Sequence, residues 1–408
     1  IYYIHNKDNF ATLINTRASF FLTVGGQRSK SPLSLHHSFT KMRPILLKGH
    51  ERSLTHCLYN KDGDLLFTCS KDNRPTVWYS ENGERVGTYE GHNGTVWGCD
   101  VTHDSKYLLT ASADMTCKMW NVATGEEVWH LATPGPCRWV QWNEGCDRFV
   151  VVVDPFRGEP AKVWVFNLPQ DGPGAIGAEP ALQFSLNVEA EGITALKTGF
   201  RVPRVMWTAL NASLLCGCED GSLRVVDPTS GVQQQCHMHH TDQIQDIQYN
   251  KDRTMFVTAS KDHTSKAIDA VTYEVLTVFQ TDRPVNSAVI NPNKLHVITG
   301  GGQDAMSVTT TAGQSGKFEA RFFHMVFGDL FGLVKGHFGP INTLAIHPDG
   351  HSYCSGGEDG YVRLSCFDDS YMNKRDDVDD TELRQLEKDL KDAGLEELPA
   401  DEEEQKTE

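Results

Sequence analysis

The chain has 408 residues, of which 39% are hydrophobic and 23% are charged, and its formal net charge is −16. The acidic excess lies mainly at one end: residues 368–408 carry −11, residues 1–41 carry +4, and the rest carries −9. Such a body is a poor general binder of nucleic acid, which needs clustered lysine and arginine to displace counterions. No apolar run reaches the length of about 18 residues that suggests a membrane span.

The first 41 residues differ in character from the rest and precede Met42. Their Arg, Ser and Thr residues are also a feature of organelle transit peptides, whereas the apolar run Phe20–Leu22 is too short for the core of a signal peptide. We expect Met42 to be the natural start and residues 1–41 to be a disordered or leader-derived extension.

Aspartates recur at a fixed distance of 42 residues, from Asp72 to Asp114, from Asp220 to Asp262 and from Asp262 to Asp304. Apolar and polar residues alternate around them, and turns containing Asp or Gly separate the alternating runs, which predicts short strands. A repeat of roughly 40–45 residues with Gly-His and Trp at its ends is typical of WD40 propeller blades. Counting the repeats predicts an all-β fold, a seven-bladed WD40 β-propeller.

In WD40 folds a His, a Ser or Thr, an Asp and a Trp form a hydrogen-bonded tetrad within each blade. The predicted members are His50, Ser70, Asp72 and Trp78 in blade one; His92, Ser112, Asp114 and Trp120 in blade two; His240, Ser260 and Asp262 in blade five; and His337 and Asp359 in blade seven. Neighbouring His, Asp and Ser residues also suggest a catalytic triad. Recurrence once per blade favours the structural role instead. The set is incomplete after blade two, so we expect blades three to six to depend more on apolar packing.

Two intervals between repeats are longer than the others. The aspartates of blades three and four are 66 residues apart, and the extra length includes Pro169–Pro180, a predicted surface loop. The aspartates of blades six and seven are 55 residues apart, and the extra residues within 313–334 contain FEARFFHMVF. This aromatic segment is either the outer strand of blade six with an elongated hairpin or a docking edge.

The two ends of the repeat region complement each other. Blade seven lacks an outer strand after Phe367, and the segment Pro44–Lys48 (PILLK) stands just before the first Gly-His. Pairing these ends closes the ring and removes open sheet edges. We therefore expect a propeller over residues 42–370 that is closed by its N-terminal strand.

Residues 371–408 are predicted to form an acidic tail. Thr381 is a suitable helix N-cap, Leu383, Leu386 and Leu390 fall on one helical face, and Gly394 is a stop signal. The short amphipathic helix either binds a partner or belongs to a solvated tail without a role of its own.

The sequence carries no motif for catalysis or for a cofactor. HExxH and GxSxG are absent, and residues 313–317 (GQSGK) lack the spacing of a P-loop. Cys216 and Cys218 lack the second cysteine pair of a zinc site, and we interpret most of the eleven cysteines as buried thiols in a reducing compartment. His237 to His240 (HMHH) is interpreted as a loop. We expect no enzyme activity, no metal and no cofactor.

Several segments between the repeated motifs are not general WD40 sequence. GHERSLTHCLYNKDGDLLFTCSKD, GGGQDAMSVTTT, GKFEARFFH and GHFGPINTLAIHPDG resemble the I subunit of eukaryotic translation initiation factor three, and the resemblance covers nearly all of residues 42–371. It implies a cytoplasmic, non-enzymatic scaffold that contacts the B subunit, through that partner's C-terminal helix, and the G subunit. It also implies action on the 40S ribosomal subunit, in assembly of the 43S preinitiation complex and in mRNA recruitment and scanning. Direct sequence-specific contact with nucleic acid and membrane association are not implied.

A partner-binding surface is predicted at the start of blade five, in QIQDIQYN. The alternating pattern buries Ile244, Ile247 and Tyr249 and leaves polar residues outward. These outward residues are Gln243, Gln245 and Asp246. An alternative function is a WD40 signalling adaptor that resembles serine-threonine kinase receptor-associated proteins, which should lack GGGQDAMSVTTT and GKFEARFFH.

Overall fold

The computed structural model describes residues 44–186, 200–302 and 318–373. The extension of residues 1–41 and the predicted tail helix lie outside these ranges. The predicted domain limits at residues 41 and 370 therefore stay predictions. None of the helices in the described ranges has the length and apolar character needed to cross a membrane.

The chain divides into two compact units, Ile1–Phe367 and Asp368–Glu408. In the second unit the described part is one short α-helix, Asp369–Met372. The Asp368 side chain caps it by accepting a hydrogen bond from the backbone N–H of Tyr371.

The first unit consists of seven antiparallel four-stranded sheets. The strands are β1 (Ile45–Leu47); β2 (Leu54–Tyr59), β3 (Leu65–Ser70), β4 (Thr76–Tyr79) and β5 (Arg85–Thr88) in blade one; β6 (Val96–Val101), β7 (Tyr107–Ser112), β8 (Thr116–Asn121) and β9 (Glu127–Ala132) in blade two; and β10 (Cys137–Trp142), β11 (Arg148–Val153), β12 (Lys162–Asn167) and β13 (Leu182–Phe184) in blade three. Blade four contains β14 (Arg204–Trp207), β15 (Leu214–Gly217), β16 (Ser222–Val226) and β17 (Gln233–Met238); blade five contains β18 (Ile244–Tyr249), β19 (Met255–Ser260), β20 (Thr264–Asp269) and β21 (Val275–Gln280); blade six contains β22 (Val285–Ile290), β23 (His296–Gly301), β24 (Glu319–His324) and β25 (Leu330–Lys335); and blade seven contains β26 (Ile341–Ile346), β27 (Ser352–Gly357) and β28 (Val362–Cys366). Two 3₁₀ helices, Pro173–Ala175 and Ala209–Asn211, lie in connections.

The first strands of the seven blades contact one another in a closed series, from β2 through β26 and back to β2. They therefore line the central channel. The apolar core lies between blades rather than at the centre. Phe67 of blade one, for example, packs with Leu108 and Trp120 of blade two. The seven-bladed propeller predicted from the repeats is confirmed.

The ring closes where β1 pairs with β28 as the outer strand of blade seven. The two strands are antiparallel, and Leu47 lies opposite Val362. Leu47 is 2% exposed and packs in the cluster that joins blades seven and one, whereas Leu46 on the same strand is 40% exposed. The predicted closure by PILLK is confirmed.

The two longer intervals fold differently from each other. Pro169–Pro180 lies between β12 and β13, the outer pair of blade three. The aromatic segment FEARFFH contains β24, which is the third strand of its blade and is covered by β25. FEARFFH itself is therefore not the outer strand, and Phe322 and Phe323 are each 2% exposed. The outer strand expected within these extra residues is β25, which forms a hairpin with β24. Its use as a docking edge stays a prediction.

We predict that Leu47→Ala lowers the free energy of unfolding by about 2–5 kcal/mol, the usual cost of removing a buried leucine. Leu46→Ala, on the exposed face of the same strand, changes the free energy of unfolding by less than about 0.5 kcal/mol. Urea unfolding followed by circular dichroism measures both variants. Equal unfolding midpoints for the two variants would contradict a closing role for the buried face of β1.

Candidate binding site at the mouth of the central channel

A chain of hydrogen bonds joins the inner edge of blade two to its third strand. The indole N–H of Trp120 donates to Thr110 Oγ1 at 2.9 Å, and the same hydroxyl lies 2.7 Å from His92 Nε2. His92 Nδ1 lies 2.9 Å from Asp114 Oδ2. Every partner is satisfied when the imidazole is neutral, with Nδ1–H donating to the carboxylate and Nε2 accepting from the threonine hydroxyl.

The linking hydroxyl belongs to a residue two positions before the predicted serine. Thr68, Thr110, Thr258 and Ser355 hold this position in blades one, two, five and seven. The predicted Ser70, Ser112 and Ser260 instead donate to backbone carbonyls of the preceding loop and accept from the N–H of the tetrad aspartate. Their assignment as linkers was wrong, because strand alternation places both residues on one face and only the earlier one lies beneath the histidine.

The other predicted members occupy tetrad positions. The His–Asp contacts are His50–Asp72 at 2.8 Å, His92–Asp114 at 2.9 Å, His240–Asp262 at 2.8 Å and His337–Asp359 at 3.1 Å, and in blade one the Trp78 indole donates to Thr68 at 2.9 Å. Burial lowers the pKa of His240, in keeping with a neutral ring. Burial raises the pKa of Asp262, but hydrogen bonds from Thr264 and His240 outweigh it and hold the pKa below its ordinary value. These side chains brace the fold and expose no nucleophile.

Blades three, four and six use arginine where the tetrad is incomplete. The ion pairs are Arg138–Asp154 at 2.6 Å, Arg224–Asp220 at 2.9 Å and Arg321–Asp282 at 2.5 Å. Blade five retains its histidine, threonine and aspartate contacts. In blades three, four and six a guanidinium thus meets a carboxylate in place of the imidazole. The expectation that blades three to six depend more on apolar packing stays a prediction.

A β-bulge occurs at the start of the inner strand in six of the seven blades. The extra residue of each bulge is Thr55, Trp97, Arg138, Gln245, Asn286 or Asn342. All six line one cavity of about 680 Å³. Because a bulge re-aims a side chain, these residues form the mouth of the central channel, and we call this cavity the channel mouth.

The channel mouth is rich in positive charge. Its lining includes six lysine or arginine residues but two carboxylates, Asp282 and Glu358. The cations are Lys71, Arg138, Arg201, Arg204, Lys261 and Arg283. This balance is opposite in sign to the net charge of the chain. A cleft lined mainly by charges of one sign focuses their field.

A polar cluster fills the channel below the mouth. The Arg204 guanidinium lies 4.0 Å from the Trp139 ring centroid and donates to Asp246 Oδ1 at 3.1 Å. The ring of Trp139 in blade three meets His56 of blade one edge-on at 4.9 Å. Gly98 of blade two makes room, since a Cβ there would lie 2.6 Å from Trp139. Burial and the neighbouring Arg204 lower the pKa of His56 to about 3, so its ring is neutral.

The predicted partner-binding residues fall into two environments. Gln243 and Gln245 line the channel mouth. Asp246 is 3% exposed and also accepts hydrogen bonds from Gln248 and Ser287. The prediction that Asp246 faces outward was wrong, because the bulge at Gln245 shifts the strand's alternation and turns the carboxylate into the central cluster.

Sequence reasoning missed most of this site. Arg201, Arg204 and Arg283 belong to no recurrent motif, whereas Lys261 shares the Ser-Lys-Asp turn with Lys71. The available signal was the polar or aromatic residue that follows the first apolar residue of an inner strand, as in Val96-Trp97 and Ile244-Gln245.

The part of the chain that the structure describes contains no group of three or more His, Cys, Asp or Glu side chains placed to hold a metal ion. Eight of the eleven cysteines are buried, including Cys216 and Cys218. His237 lies on β17 rather than in a loop, and His240 belongs to the blade-five tetrad.

Comparison with known proteins gives consistent matches. The EIF3I family profile matches residues 42–377. The chain is 44% identical over 332 residues to eukaryotic translation initiation factor 3 subunit I of Bombyx mori, which covers 81% of this chain and 98% of the relative. The subunit of Kluyveromyces lactis is 43% identical over 343 residues, which covers 83% of this chain and 96% of the relative. The β-propeller domain of Myceliophteria thermophila Cps50 (Swd1) covers 79% of this chain and 98% of that domain with a TM-score of 0.64; at 14% identity it shows the fold alone.

We predict that Thr110→Val destabilises the protein, because it leaves the Trp120 indole N–H and His92 Nε2 buried without a partner. Each orphaned group costs roughly 1–3 kcal/mol. Thr110→Ser keeps the hydroxyl and serves as the control. Urea unfolding measures the difference, and equal stability of the two variants would show that the hydroxyl bonds do not brace the blade.

Asp100 in the channel wall generates a prediction about pH. Burial raises its pKa to about 7, although the backbone N–H of Trp142 donates to its carboxylate. The unfolded chain holds the ordinary value near 3.8. The folded state therefore takes up this proton first as pH falls, so the penalty of the buried charge is full above pH 7 and is relieved below it.

We accordingly expect the melting temperature of the wild type, relative to Asp100→Asn, to rise as pH falls from about 8 to about 6. The exposed Asp62→Asn variant should show no such trend. Thermal unfolding across this range measures both differences. A constant difference between wild type and Asp100→Asn would rule out a raised pKa.

Proposed function

Because the chain belongs to the family of eukaryotic translation initiation factor 3 subunit I, we propose that it is a non-enzymatic scaffold within that multisubunit factor. The support is the match over almost the full length of the relatives together with a closed ring of seven sheets. A rigid ring presents several loop faces and outer edges to different partners at once. The tetrad histidines and aspartates brace blades, which supports the absence of enzyme activity.

The proposed partners are the B and G subunits of the factor and, through the complex, the 40S ribosomal subunit. In this proposal the protein acts in the cytoplasm, in assembly of the 43S preinitiation complex and in mRNA recruitment and scanning. Family membership and the acidic balance of the chain support a protein scaffold over a direct binder of nucleic acid sequence. They likewise favour this role over a signalling adaptor.

The seam between the outer strands of blades five and six is the proposed contact for the B subunit. Val278 on β21 is 45% exposed, and Leu330 and Leu333 on β25 are 46% and 42% exposed. The two strands are neighbours, since a Cβ at Gly328, just before β25, would lie 3.1 Å from the Val278 carbonyl oxygen. Neighbouring exposed apolar side chains suit the apolar face of an amphipathic helix.

The test is affinity purification of the tagged chain from cells, with quantitative mass spectrometry. We expect the B and G subunits and 40S proteins with the wild type. Val278→Asp combined with Leu330→Asp should reduce recovery of the B subunit by about tenfold, because it buries charge in an apolar contact. Val232→Asp, at a residue 61% exposed on blade four, is the control.

Two results would contradict the proposal. Recovery of kinase receptors in place of initiation factor subunits would favour the signalling adaptor. Unchanged recovery of the B subunit by the double variant, with the variant folded, would exclude the blade five–six seam.

A further inference from the structure

We propose that the channel mouth binds an acidic peptide segment of a protein partner through its carboxylate side chains. The inference goes beyond the scaffold role and does not depend on the seam between blades five and six. It rests on which polar groups of the mouth are already paired and which remain available.

Most cations of the channel mouth are committed to neighbours within the protein. Arg138 pairs with Asp154 at 2.6 Å, and Lys71 pairs with Glu358 at 3.0 Å. Arg204 is held by Asp246, and Arg283 lies near Asp282. Among the described residues, Arg201 and Lys261 are the lining cations for which no acidic partner is found within ion-pair distance. Arg201 is exposed and Lys261 is half-buried, so a ligand can reach both.

The available hydrogen-bond donors lie on the same side of the mouth as these cations. Within the described ranges, the side-chain amides of Gln243 and Gln245 make no hydrogen bond, although both residues are partly buried in the cavity lining. The amides on the other side are occupied: Asn286 Nδ2 donates to the Ile341 carbonyl, and Asn342 Nδ2 donates to the Leu54 carbonyl and to Glu358. The unpaired cations and side-chain amides of blades four and five therefore lie in one part of the channel mouth.

These groups match a carboxylate. An ionised Asp or Glu accepts through two oxygens and has no proton to donate, so it suits an ammonium, a guanidinium and amide N–H donors. The two acidic lining residues, Asp282 and Glu358, belong to blades six and seven. Their charge disfavours acidic residues on that side, which orients the acidic end of a bound segment toward blades four and five.

The surroundings favour a peptide over single-stranded RNA. Sequence-independent RNA binding uses open aromatic faces on which bases stack. Trp97 is the lining residue with a large ring, and the Arg138 guanidinium already lies 4.2 Å from its centroid. The net charge of −16 also repels a long polyanion more strongly than a short acidic peptide.

The central cluster sets the depth of the site. His56 meets Trp139 across blade two, and Gln248 of blade five donates to the Leu344 carbonyl of blade seven at 3.0 Å. Side chains from non-adjacent blades thus meet in the channel below the mouth. A bound segment crosses the mouth and does not thread the ring.

The experiment is fluorescence anisotropy with the purified full chain and a labelled Glu-rich peptide. A matched peptide with Gln in place of Glu tests the charge requirement, and oligo-uridine tests RNA. We expect the Glu peptide to bind at least about tenfold more tightly than the Gln peptide. Binding should weaken as salt is raised, because exposed charges are screened.

Arg201→Ala combined with Lys261→Ala should weaken binding of the Glu peptide by about tenfold or more. Lys251→Ala is the matched control, since Lys251 is an exposed lysine of the same blade outside the cavity lining. Both substituted residues reach solvent, and circular dichroism melting verifies that the variants remain folded.

Three outcomes would overturn the inference. The double variant could bind the Glu peptide as tightly as Lys251→Ala does. The Gln peptide could bind as well as the Glu peptide. Oligo-uridine could bind more tightly than the Glu peptide, which would assign the mouth to RNA. Since the assay uses the isolated chain, its failure is separable from a failure to recover initiation factor subunits from cells.

Discussion

Closure of the ring by β1 and β28 is the constraint on which the rest of the structure depends. In a row of seven packed sheets, the first and the last each leave one side uncovered unless they pack against each other. Here the two ends of the chain share one blade, because the outer strand of blade seven comes from the start of the chain. Blade seven is incomplete without Leu47 and its neighbours, and the inner ring from β2 to β26 closes only when blade seven is in place.

Two kinds of polar contact act within this closed ring. The tetrads brace single blades: His92 and Asp114, for example, tie an entry loop to a turn of the same sheet. The central cluster instead joins different blades, since Asp246 of blade five meets Arg204 of blade four and Ser287 of blade six. Buried polar groups of this kind are tolerated because their partners satisfy them. The channel mouth stands above that cluster, and one of its unpaired donors, Gln245, lies on the inner strand β18.

Residues with a repeating environment were predictable. Asp72 and Asp114 recur because each blade needs the same turn, and the chain pattern identified their histidine partners. The serine assignment failed at Ser112 because sequence spacing alone does not say which of two hydroxyls on one strand face reaches the histidine. The prediction that Asp246 faces outward failed for a different reason. A one-residue bulge reverses the alternation on which that prediction was based.

The sequence by itself determined the number of blades, the closing strand and the family, because these depend on local periodicity and on continuous segments of the chain. Tertiary structure alone decided the channel mouth. Its residues come from the inner strands and loops of different blades, such as Arg201 and Lys261, and only ring closure brings them to one cavity. Their pairing was also undetermined by sequence, because whether a cation is neutralised depends on the three-dimensional position of a carboxylate and not on its distance along the chain.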